Sequence, residues 1–135
     1  MQKILKPRYL LFFILLAITL VTAGCNDGGS KAGAPVAIEA YLQALVAKDL
    51  NQTINHSCAA WEKRAQEEVQ SFAAENVSIE ELDCQAGGEA DGFSLVSCSG
   101  RIIADYGAED LVIDLNEFTY RAIEEGGEWR MCGYQ

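Results

Sequence analysis

Phe-Ser-Leu-Val-Ser-Cys-Ser-Gly-Arg-Ile-Ile-Ala-Asp-Tyr (93–106) is the stretch from which the fold follows. Its length and apolar content predict one long strand. Gly100, near the middle, predicts a bulge, because a lone glycine inside a strand pattern marks a bend or a close backbone approach. Upstream, Gly-Gly-Glu-Ala-Asp-Gly (87–92) reads as a turn, and Val77 to Cys84 as a strand alternating at Val77, Ile79 and Leu82. Downstream, Gly107-Ala108 turns the chain. Leu111, Ile113 and Leu115 then alternate with Val112 and Asp114, slip by one around Asn116-Glu117, and resume at Phe118, Tyr120 and Ala122. A slip within a continuing alternation predicts a second bulge inside one bent strand. Glu125-Gly126-Gly127 is a hairpin turn, and Glu128 to Tyr134 forms the last strand. The expectation is a strongly curved, four-stranded antiparallel meander.

Helices precede it. Pro35 suits the first helical position, where its missing N–H costs nothing. Ile38, Tyr41, Leu42, Leu45 and Val46 recur at three- and four-residue spacing and define one apolar face, with the helix ending near Lys48-Asp49. Leu50 to His56 reads as a short helical turn with Leu50 and Ile54 inward. Ser57 is the expected cap of a longer helix. Trp61, Ala65, Val69, Phe72 and Ala73 line the inner face of that helix, while Glu62, Lys63, Arg64, Glu67 and Glu68 face solvent.

This helix–helix–meander order resembles the nuclear transport factor 2-like superfamily, a cystatin-like α+β cone. The segment Ala-Tyr-Leu-Gln-Ala-Leu (40–45) and the closing Trp-Arg-Met-Cys strand (129–132) share in the resemblance, which is closest to the small secreted bacterial members. It runs from Val36 to Tyr134. It implies an α+β domain over residues 36–135, with N-terminal helices packed on a curved four-stranded antiparallel sheet around an apolar hollow. That superfamily hosts binding domains, enzymes and oligomerisation modules alike, so the likeness carries no activity with it. A homodimer through the concave sheet face is one arrangement it allows. Trp61, Phe72, Tyr120, Trp129 and Met131 are the side chains suited to line the hollow, in competition with a reading as ordinary core.

The chain holds five cysteines. Cys58, Cys84, Cys98 and Cys132 fall within the domain and form an even set, which allows three pairings. In the meander, Cys98 and Cys132 lie two strands apart and Cys84 and Cys132 three. Neighbouring strands are about 4.8 Å apart, so a gap of two strands exceeds the usual disulfide reach. Cys84–Cys98 with Cys58–Cys132 is the one pairing without such a gap. Zinc is the competing reading, but no close Cys or His pair stands behind it.

The fifth, Cys25, explains where the chain works. Lys3, Lys6 and Arg8 precede an apolar run from Tyr9 to Ile18, followed by Thr19, Leu20-Val21-Thr22 and Ala23-Gly24-Cys25. A basic start, a short apolar middle and small residues before a cysteine are the pattern of a signal peptide over residues 1–24. The apolar run falls short of the about 20 apolar residues that span a membrane, and the competing readings are an ordinary signal peptide with Cys25 as a spare thiol and an uncleaved N-terminal anchor. The cysteine at the cleavage point resembles that of bacterial lipoproteins, in which the thiol receives lipid. The expectation is a palmitate-bearing lipoprotein held at the extracytoplasmic face of a bacterial membrane through Cys25, with residues 25–35 as a flexible Gly- and Ala-rich tether.

Ten Lys and Arg against twenty Asp and Glu give a net charge of −10; residues 1–24 hold three bases and no acid, so their removal leaves 111 residues and −13. That charge argues against nucleic acid as a partner and for solubility. His56 is the only histidine and stands in a polar segment. Ser57 and Ser97 lack the flanking glycines of a nucleophile elbow. Glu80, Glu81 and Asp83, or Glu109 and Asp110, lack the alternating oxygen ligands of a calcium loop. No catalytic set, metal or cofactor is therefore assigned. The expected function is a non-catalytic module that binds a small molecule or a protein. The alternatives are a small hydrolase or isomerase using His56 with a carboxylate inside the hollow, and a structural envelope component.

Overall fold

A computed structural model describes residues 33–72, 74 and 76–135 of the chain. The signal peptide, Cys25 and most of the tether lie outside the described residues. Three helices come first: α1 (Ala34–Val46), α2 (Leu50–Asn55) and α3 (Glu62–Ser71). Five strands follow: β1 (Asn76–Ala90), β2 (Phe93–Asp105), β3 (Asp110–Asp114), β4 (Thr119–Glu125) and β5 (Glu128–Tyr134). The fold is α+β, helices then an antiparallel sheet. None of the described helices is long and apolar enough to cross a membrane.

Helix α1 begins with Pro35 in its first turn, as the sequence predicts, but it takes in Ala34 and Pro35, both buried, which the tether was expected to include. Ile38, Tyr41, Leu42 and Leu45 all face the core at 6 % exposure or less. Lys48 adopts a left-handed conformation (φ 55°), and the amides of Lys48 and Asp49 return to the carbonyls of Leu45 and Ala44. These bonds satisfy carbonyls that a helix end leaves orphaned. Asp49 caps α2 by accepting from the Gln52 amide at 3.0 Å. Thr53, fully buried, is the inward residue of that turn; Leu50 and Ile54 are only half-buried.

Ser57 does not cap α3. Its hydroxyl donates back to the Thr53 carbonyl at 2.8 Å, and its backbone bridges to Met131. The Cys58 amide donates to the Met131 carbonyl, and the Met131 amide to that of His56, each at 2.8 Å. The segment therefore behaves as a stub of strand on the outer edge of β5, and α3 starts only at Glu62.

The sheet has five strands rather than four. Its path is β1-β2-β4-β5, with β3 also pairing β2. The segment expected as one bent strand breaks at a turn of 3-10 helix, Leu115–Glu117. Two local forces break it. Asp114 accepts the Asn116 amide at 2.9 Å, offering the backbone a turn in place of a ladder, and Leu115 is drawn into the core at 1 % exposure. Consequently β3 and β4 lie along the same edge of β2. Residues 101–105 pair with β3 and residues 94–97 with β4.

Gly100 marks a bulge, but the extra residue sits on the neighbouring strand. Glu80 pairs Arg101 and Asp83 pairs Ser99, leaving Glu81 and Leu82 opposite the glycine. A β-carbon at Gly100 (φ 106°) would stand 2.5 Å from the Glu80 carbonyl oxygen, so no other residue fits. The first hairpin turns on Asp91-Gly92 alone; residues 87–90, expected in the turn, extend β1. Both disulfides of the expected pairing are present, Cys84–Cys98 across β1 and β2 (Cα–Cα 4.0 Å) and Cys58–Cys132 tying the segment before α3 to β5 (5.2 Å).

Candidate functional site

Where α1, α3 and the sheet meet, a cleft of about 190 Å³ opens among three tyrosines and one carboxylate. Tyr41 comes from α1, Glu68 from α3, Tyr120 from β4 and Tyr134 from β5. Glu68 was expected on the solvent face of α3, but it is 9 % exposed and turned inward. Its position explains the turn. Glu68 follows Ala65 by three residues and precedes Phe72 by four, which places it on the inner stripe of the helix. Residue type argued for solvent, helical spacing for the core, and spacing prevails because the core holds partners for the charge.

Those partners are phenols. The Tyr41 hydroxyl donates to Glu68 Oε2 at 2.5 Å and the Tyr134 hydroxyl to Oε1 at 2.8 Å. Trp61 Nε1 donates to the Tyr41 oxygen at 3.3 Å and closes a chain from indole to carboxylate. Arg64 Nε stands 3.7 Å from Oε1 on an exposed side chain. A buried carboxylate is tolerable only with such donors, since desolvation penalises the charged form. In turn, burial first and the Glu68 charge second hold the Tyr41 hydroxyl far above the ordinary phenol value. Burial does the same for Tyr120, helped by Tyr134 and Glu68, and for Tyr134. All three are neutral hydrogen-bonding groups at physiological pH.

The rings form the other wall. Phe118 and Tyr134 meet edge to face at 5.3 Å between centroids, Tyr120 and Tyr134 lie 5.9 Å apart, and Phe118 and Tyr120 6.2 Å. Tyr120 is 3 % exposed and lines the cleft.

Of the five side chains expected to line a hollow, Phe72 and Tyr120 do so. Trp61 stands beside the cleft, with its ring edge-on to Tyr134 at 5.7 Å. Met131 is fully buried core. Trp129 borders a separate, open surface hollow of about 560 Å³, together with His56 and Arg130. That hollow is larger and more open, and its one cation among the described residues is already engaged: Arg130 holds Glu128 at 2.6 Å and donates to the Asn55 carbonyl. His56 is half-buried and lines that open hollow, which also holds Glu128, and not the tyrosine cleft. Among the described residues, no three His, Cys, Asp or Glu side chains gather where they could hold a metal ion.

Tyr41, Glu68, Phe118 and Tyr134 are the cleft residues that sequence reasoning did not assign to a site. Glu68 had a usable signal, an acid at inward helical spacing between Ala65 and Phe72. Phe118 and Tyr134 had none beyond alternation.

No protein-family model matches the chain, and no curated protein matches it. Among solved structures, 73 % of the chain is similar to 74 % of a SEC-C motif containing protein from Rhodopseudomonas palustris, at 10 % identity and a TM-score of 0.48. The same share is similar to 38 % of the helical cell shape determining protein Pgp2 from Campylobacter jejuni, at 7 % identity and a TM-score of 0.48.

Proposed function

We propose that the chain is a lipoprotein, anchored through Cys25 to the extracytoplasmic face of a bacterial membrane, whose nuclear transport factor 2-like domain binds a small molecule without transforming it. The observation that carries this reading is the tyrosine cleft, an apolar cavity with a few convergent polar groups, which is the usual form of a small-molecule site. At about 190 Å³ it has room for on the order of six waters, so its ligand is small. The leader sequence supports the location, and so do two disulfides, which persist mainly in oxidising compartments.

Two measurements test the proposal. Mass spectrometry of protein purified from membranes of a lipoprotein-processing bacterium should find an acylated Cys25 as the first residue, and C25A should leave the membrane fraction. An intact leader would overturn the location. Screening the purified full-length product against a library of small metabolites should find compounds that raise its melting temperature, and Tyr120→Leu should weaken them. A library without a single hit would overturn the binding reading.

A further inference from the structure

The chemistry of the cleft selects the charge of its occupant. We infer that the cleft takes a small organic cation, an amine or methylated ammonium, seated between the Glu68 carboxylate and the rings of Phe118, Tyr120 and Tyr134. This rests on the binding-module reading above and names the ligand class for the same cleft.

Three observations carry the inference. First, Glu68 is a cleft-lining carboxylate at 9 % exposure, and its nearest cation, Arg64 Nε, stands 3.7 Å away on a side chain 56 % exposed. The guanidinium of that pair reaches solvent and is screened there, so it offsets the charge of the buried carboxylate only in part. Second, the hydroxyl protons of Tyr41 and Tyr134 are committed to Glu68, and their oxygens accept from Trp61 and Arg64, so neither phenol offers a donor to an incoming ligand. A cation offers donors or positive methyl groups; an anion would meet lone pairs and a carboxylate. Third, Phe118, Tyr120 and Tyr134 stand with centroids 5.3–6.2 Å apart, mutually tilted, so that their faces and edges converge. Aromatic faces attract cations through the ring quadrupole, and desolvation inside a cleft strengthens that attraction. The Tyr120 hydroxyl adds a polar group to the cleft lining for a substituent of the ligand. A neutral apolar ligand would use the rings but gain nothing from the charge of the carboxylate, and an anion is disfavoured by both. The acidic surface, −10 over the full chain, draws the same class toward the protein.

The experiment uses full-length protein in detergent and four probes of similar shape: tetramethylammonium, choline, the neutral carbon isostere 3,3-dimethylbutan-1-ol and the anion 3,3-dimethylbutanoate. Binding is read by calorimetry and by chemical-shift changes of the cleft tyrosine rings. The cations should bind about tenfold or more tighter than the neutral isostere, and the anion should not bind. Phe118→Leu and Tyr120→Leu should each lose most of the cation affinity, in variants whose melting curves show them folded. Equal or tighter binding of the neutral alcohol in the cleft would overturn the cation inference while leaving the binding reading intact. Failure of all four probes to move the tyrosine rings also overturns it, and the library screen then decides the broader reading by itself.

Discussion

Tyr41→Phe deletes a single oxygen at the centre of the Trp61–Tyr41–Glu68 chain, and its cost follows from the geometry. Tyr41 is fully buried, and its hydroxyl donates to the Glu68 carboxylate at 2.5 Å. A hydrogen bond to a charged group contributes about 1.5–3 kcal/mol. The Trp61 N–H loses its acceptor as well. It is half-buried and partly reachable by water, so that loss adds about 0.5–1 kcal/mol. The sum is about 2–4 kcal/mol, which for a domain of this size lowers the melting temperature by roughly 10–20 °C. The direct assay is urea unfolding of wild type, Tyr41→Phe, Glu68→Leu and the double variant with disulfides intact. The cycle should show strong coupling, because a carboxylate stripped of one donor costs more than the absence of both partners. Glu68→Leu still leaves Tyr134 without its acceptor, so the double variant does not return to wild-type stability. A Tyr41→Phe cost below about 0.5 kcal/mol, or additive single effects, would show that the network is not holding α1, α3 and β5 together.

Three further expectations concern the frame around the cleft. The Cys58–Cys132 bridge closes 74 residues and Cys84–Cys98 closes 14. Loop-closure entropy therefore predicts losses of about 4.5 and about 3 kcal/mol on replacing each pair by alanine, and a larger drop for the shorter loop in denaturant titrations would contradict the entropic account. Tyr41, Tyr120 and Tyr134 are all held above the ordinary phenol value, so below pH ~10 neither state loses these protons. Above it the unfolded chain ionises first and stability falls, by up to about 1.4 kcal/mol per pH unit for each of Tyr41 and Tyr120 and less for the more exposed Tyr134. Phenolate absorbance of Tyr41, Tyr120 and Tyr134 should rise together with loss of the circular dichroism signal, and these three titrating near pH ~10 in a folded protein would refute this. Gly100→Ala should cost at least about 1 kcal/mol more than Gly107→Ala. Both glycines have positive φ, but a β-carbon would strike the Glu80 carbonyl only at Gly100, so equal melting points would argue against the bulge register.

The sequence discloses those parts of the fold whose signals are local. The apolar face of α1 recurs from Ile38 to Val46, Pro35 marks the start of the helix, and the Gly-rich turns bound the strands. The disulfide pairing follows once the strand order is assumed, because interstrand spacing rules out the alternatives. The fifth strand was hidden because a slip of one residue in the alternation has two physical origins, a bulge or a break. Choosing between them requires knowing that Leu115 has a core to enter and that Asp114 turns back on Asn116. Ser57 was misread for a related reason. A serine before a helix is a cap unless the chain around it is recruited by a strand, here β5 through Met131. Glu68 was the most consequential miss. Its inward spacing was visible, but the phenols that make a buried carboxylate tolerable come from α1 and from β5, 27 and 66 residues away. Convergence over such separations is a property of the tertiary fold.

The central claim is that the Glu68 cleft, and not the open hollow beside Trp129, is where this protein meets its ligand. Intermolecular nuclear Overhauser effects from the methyl groups of bound choline test it most directly. Cross-peaks should appear to the ring protons of Phe118, Tyr120 and Tyr134; cross-peaks confined to Trp129 and His56 would put the ligand in the open hollow instead.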